Sequence, residues 1–201
     1  MRAWVLGFLL ALAAGQAWAE VMVTFYAHPG ARIRGNELLF PHAYVQATGT
    51  MQDSGTPVDW SAGFTAYSPG PQLLFSKGRG VVTHPDPRYI AEGRPFLRLA
   101  ISDDAYRALR ARADWWNSPE GRTYDLRRRN CITFIADMAR VVGLQTAPEP
   151  SMKPGTFLEA TAALNPAAAW REGGQLQQAA PDVVEAPPTT APASPAPAPA
   201  G

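Results

Sequence analysis

The chain has 201 residues, 46% of them hydrophobic, and a formal net charge of +1. So even a balance gives no chain-wide attraction to a polyanion. A single cysteine, Cys131, excludes any internal disulfide.

Residues 1–19 read as a secretory signal. Arg2 supplies the positive start, an apolar run covers 5–14, and Ala17-Trp18-Ala19 gives the small-x-small cleavage pattern. The mature chain is therefore expected to begin at Glu20, in the periplasm or outside the cell. The apolar run is too short to cross a bilayer, and no later segment is apolar enough, so the mature chain is expected to have no membrane span.

Residues 20–174 are long enough for one domain with a sizeable core. Its first half reads as strands. Residues 21–26 are β-branched and aromatic and stop at His28-Pro29-Gly30. A second strand lies within 37–50 and closes at the polar turn 53–57. Residues 61–67 return, ending at Pro69-Gly70-Pro71. Two short strands, 73–75 and 80–83, flank a turn at 77–80, and 96–101 is the last. The close spacing and turn chemistry predict an antiparallel sheet.

The second half reads as helices. Ser102 is a good N-cap, with Asp103 and Asp104 in the first turn. Tyr106, Leu109, Ala113 and Trp116 then recur at helical spacing up to Pro119. Asn130 caps a second helix with an apolar face of Ile132, Ile135, Ala136, Ala139 and Val142, closed by Gly143. Residues 156–164 form a short third. Strands followed by helices predict an α+β domain. From Gln175 to Gly201 the chain is Gln, Ala and Pro with few large apolar residues, the composition of a disordered tail.

Cys131 sits where a basic loop, Arg127-Arg128-Arg129-Asn130, turns into the second helix. A helix N-terminus lowers a thiol pKa, because unpaired N–H groups and the helix dipole favour the thiolate. A free cysteine is also often a small buried hydrophobe. Both readings stay open on position alone. The bases available are His28, His42 and His84. His42 shares a strand face with Phe40, Tyr44 and Gln46, polar groups among aromatics, and ranks first. His84 lies in a Pro-rich turn and is the reserve. With no Cys-x-x-Cys, His-Glu-x-x-His or Gly-x-Ser-x-Gly, a metal site and a serine nucleophile lack an anchor, and no cofactor is expected. The arginines between 107 and 129 read first as a solvated face, or else as a contact for an anionic surface.

His42-Ala43-Tyr44-Val45 on a strand, followed much later by Asn130-Cys131-Ile132-Thr133-Phe134 opening a helix, resembles the circularly permuted papain-like proteins. These include the permuted NlpC-type peptidases and the lecithin:retinol acyltransferase-like group. The resemblance covers about residues 38–144. It implies a permuted papain-like domain in which Cys131 attacks a carbonyl and His42 handles its proton. It also implies a third polar residue orienting the histidine from the returning strand. Asp59 is the candidate, with Ser61 and Thr65 on the same arm. The function expected is an exported cysteine amidase or peptidase acting on cell-envelope amide bonds. Peptidoglycan or another anionic envelope component would be its partner, and not nucleic acid. The alternatives are a non-catalytic envelope scaffold with a vestigial site, and a thiol acyltransferase or lipid hydrolase.

Overall fold

The computed structural model describes residues 20–33, 37–39, 41–148 and 153–171. The predicted signal (1–19) and Pro/Ala tail (175–201) lie outside the described residues. What is described is a mixed α+β fold, an antiparallel six-stranded sheet followed by helices.

The strands are β1 (Val21–His28), β2 (Ala31–Ile33), β3 (Glu37–Leu39), β4 (His42–Thr50), β5 (Pro57–Ala66), β6 (Gly78–Thr83), β7 (Arg94–Ile101) and β8 (Thr123–Tyr124). The helices are α1 (Pro87–Ala91), α2 (Asp103–Asn117), α3 (Cys131–Val141) and α4 (Pro154–Leu164). The main sheet runs β7-β1-β4-β5-β6-β8, and β2 pairs with β3 as a separate small hairpin. The predicted strand within 37–50 is thus two strands in two sheets. Residues 73–75, read as a strand from their Leu-Leu-Phe run, instead overlap a 3-10 turn, Pro71–Leu74. Pro71 fixes φ there and withholds an N–H, which starts a helical turn more readily than a strand. The turn expected at 77–80 is instead the start of β6.

Strand alternation divides the sheet into two faces. Val21, Val23, Phe25, Val45, Ala47, Trp60 and Phe64 are buried on one face, under α2, α3 and α4. A fully buried side chain such as Phe25 or Phe64 stabilises by roughly 2–3 kcal/mol relative to exposure. The helices supply the facing layer at the expected positions, Tyr106, Leu109, Ala113 and Trp116 from α2 and Ile132, Ile135, Ala136 and Ala139 from α3, and Phe134 and Met138 join them as buried residues the spacing did not predict. Trp116 is core, and its ring packs edge-on against Phe64 and Phe134. Trp115 stays at the surface. Both caps form as expected: Ser102 accepts from Ala105 N–H, and Gly143 adopts a left-handed φ of 80° after α3.

The other face carries Tyr26, His28, His42, Tyr44 and Gln46. It is covered at one end by α1, whose Tyr89 and Ile90 carbonyls accept from the Tyr44 hydroxyl. That end of the sheet holds the candidate site.

Candidate active site

Cys131 is the first residue of α3, and its placement is built by the ten residues before it. Asp125 Oδ1 accepts from the backbone N–H of Arg127 and Arg128, at 2.9 and 3.1 Å, folding the chain back after β8. Arg129 donates to Gly121 O, at 2.6 Å from Nη2, and lies 3.8 Å over the Trp116 ring. It is thus a part-buried strut and not one of a solvated row, and burial lowers its pKa. Asn130 is buried. Its Oδ1 accepts from Ile132 and Thr133 N–H, its Nδ2 donates to Leu126 O, and Thr133 Oγ1 completes a capping box.

His42 opens β4 and is the register partner of His28. Its imidazole packs over Gly63 of β5, where a Cβ would meet Nε2 at 2.6 Å. His28 in turn stacks on Tyr89, with ring centroids 4.2 Å apart. It accepts from Gly30 N–H at Nδ1 and places Nε2 3.5 Å from Glu92. Burial, then repulsion from His28, push the His42 pKa down to about 4. The imidazole is therefore neutral at neutral pH.

Cys131 and His42 line one cleft of about 930 Å³ with Thr65, His84, Tyr89, Tyr124, Leu126 and Arg127. Among the described residues no direct hydrogen bond joins the thiol to the imidazole. The link is one residue along: the Ala43 N–H, next to His42, acts on Cys131 Sγ together with the N–H groups of Cys131 and Ile132. These donors pull the thiol pKa down, as the helix N-terminus was expected to. Burial outweighs them, and the net shift is upward. The expected thiolate-favouring site is thus, in the resting protein, a site for the neutral thiol. Burial and the neighbouring thiol also raise the Tyr124 pKa to about 12 and that of Tyr89 upward, so both phenols stay protonated beside Sγ.

Asp59 is not brought to the site. It is exposed and pairs with Thr48, six positions along β4 from His42, about 20 Å at strand rise. The strand register put it at the far end of the hairpin, and the sequence alone left that register open. Ser61 is buried and donates to Pro85 O at 2.8 Å. Thr65 does line the cleft. His84, the reserve base in its Pro-rich turn, is held by a 2.6 Å contact from Nδ1 to Ser61 O and lines the same cleft. A backbone carbonyl can only accept, so Nδ1 carries a proton. Tyr89 and Tyr124 were missed. Tyr89 rides on α1, whose start at Asp86-Pro87 carries a cap-plus-proline signal that would have revealed it.

No family model matches the chain, and no curated protein matches it. Among solved structures the chain is similar to the crystal structure of a Type VI secretion system effector, TseH. The identity is 21% and the TM-score 0.46, over 73% of this chain and 90% of that one.

Proposed function

We propose that this protein is a cysteine amidase or peptidase of the permuted papain-like type, exported to act on amide bonds of the cell envelope through Cys131 and His42. The observation that carries the chemistry is that Cys131, at the start of α3, and His42, at the start of β4, line the same cleft. The export signal and the sequence resemblance carry the envelope substrate.

Both groups are neutral at rest, so the proton moves as the new bond forms. Sγ attacks the carbonyl carbon while His42 takes the thiol proton, and the carbonyl electron pair moves to oxygen. The N–H groups of Ala43 and Cys131 supply donors for that oxyanion. The tetrahedral adduct collapses, the C–N bond breaks, and the imidazolium returns its proton to the leaving nitrogen. Water then attacks the thioester with His42 as base. The acid departs and the thiol is restored.

Incubating purified wall sacculi with the protein tests the substrate. New free amino groups and soluble fragments are expected with the wild type and not with Cys131→Ser. Cleavage that survives Cys131→Ser would overturn the assignment, and sacculi left intact by the wild type would overturn the wall as substrate. A non-catalytic scaffold, which the raised thiol pKa also suits, would leave sacculi intact while still binding them.

A further inference from the structure

We infer that the β5–β6 connection is a membrane-docking tip that seats the cleft end of the sheet on an anionic lipid surface. Three large apolar side chains project from residues 67–76: Phe75 is 90% exposed, Tyr67 61% and Leu74 52%. Phe75 ends the 3-10 turn and buries almost nothing, although an exposed phenylalanine forgoes the stabilisation that burial would supply.

Cations surround this tip. Lys77, Arg79, Arg127 and Arg128 are exposed, and among the described residues none of them forms an ion pair. Arg79 leans over the Tyr67 ring at 4.7 Å, which holds a charge beside an apolar face. Residues 67–80 contain no Asp or Glu. Asp125, which follows β8, has Oδ1 occupied by the Arg127 and Arg128 N–H groups.

A few protruding apolar side chains ringed by unpaired cations match the lipid–water interface. There the rings enter the headgroup boundary and the cations meet anionic phosphates. A stable protein interface wants a broader surface, about 800 Å² a side. The tip leaves the sheet from the end where β5 finishes and β4 begins, the end that holds His42 and Thr65. Docking would therefore hold the cleft mouth near the bilayer. This inference does not depend on Cys131 being catalytic.

The test uses sedimentation of the full chain with phosphatidylcholine vesicles, with and without roughly a third phosphatidylglycerol. Binding is expected with the anionic vesicles, weakened at high salt, and reduced about fivefold or more by Phe75→Ser or by Lys77→Glu with Arg79→Glu. Because the chain has one cysteine, Phe75→Cys in a Cys131→Ser background can carry a single environment-sensitive fluorophore. Its emission should shift blue on anionic vesicles, while the same label at Ser54→Cys, in the turn at the opposite end of the sheet, stays unchanged. Binding that ignores Phe75→Ser, equal binding to neutral vesicles, or equal shifts at 75 and 54 would each overturn the inference. A label at 75 silent on all vesicles would also overturn it and leave the tip to a protein partner. The labelled proteins lack the Cys131 thiol, so failure here is distinct from failure of the proposed chemistry.

Discussion

The His42 imidazole rests on Gly63: a Cβ there would stand 2.6 Å from His42 Nε2 and 3.2 Å from Tyr44 Cβ. The glycine is required by close approach, since only a residue without a side chain lets the ring lie against β5. Gly63→Ala is expected to push the imidazole off its seat. Turnover should fall at least tenfold, as misplacement of a general base does, with a stability loss of about 1–3 kcal/mol from overpacking. Rates and denaturant midpoints measured on the same variant check this. Unchanged turnover would separate His42 from the chemistry.

The same histidine sets a pH dependence of stability. Its folded pKa, about 4, lies below the ordinary 6.5, so between these values the unfolded chain binds the extra proton. Its contribution is complete above pH about 6.5 and is lost as the pH falls through 4, a change of about 3 kcal/mol. Denaturant titrations at about pH 7, about 5.5 and about 4 should show a steeper loss in wild type than in His42→Gln. Parallel slopes would mean that the imidazole is solvated.

Cys131 should behave as a protected thiol. Burial raises its pKa, so alkylation by iodoacetamide is expected to be slow near neutrality and to climb through the alkaline range. A reactivity plateau already reached near neutral pH would instead indicate a resting thiolate–imidazolium pair.

Asn130 closes the N-terminus of α3 and ties it to Leu126. Asn130→Ala removes the cap and leaves the Leu126 carbonyl without that donor. A loss of roughly 2 kcal/mol, near the top of the range for caps, should appear as a melting point lowered by about 4–8 °C. No measurable shift would mean that the helix start is held by Arg129 and Asp125 alone.

Much of this site was legible in the sequence because local chemistry determined it. The Asn130 cap, the α3 apolar face, the Ser102 cap and the polar face around His42 all follow from residue type and spacing. What was hidden depended on register and on burial. Asp59 was plausible until the β4–β5 pairing placed it opposite Thr48. Leu73, Leu74 and Phe75 have strand-like composition, yet Pro71 turns the chain there. The thiol shift was misjudged because a helix N-terminus is visible in sequence, whereas the depth of the surrounding cleft is not.

The pairing of Cys131 with His42 is tested most directly by the rate at which Cys131 accepts an acyl group from a simple activated ester, followed by time-resolved intact-mass spectrometry. Cys131→Ser serves as the blank, and no natural substrate is needed. If His42 withdraws the thiol proton during attack, wild type should acylate about 100-fold or more faster than His42→Ala at neutral pH. Equal rates in the two proteins would contradict the Cys131–His42 assignment.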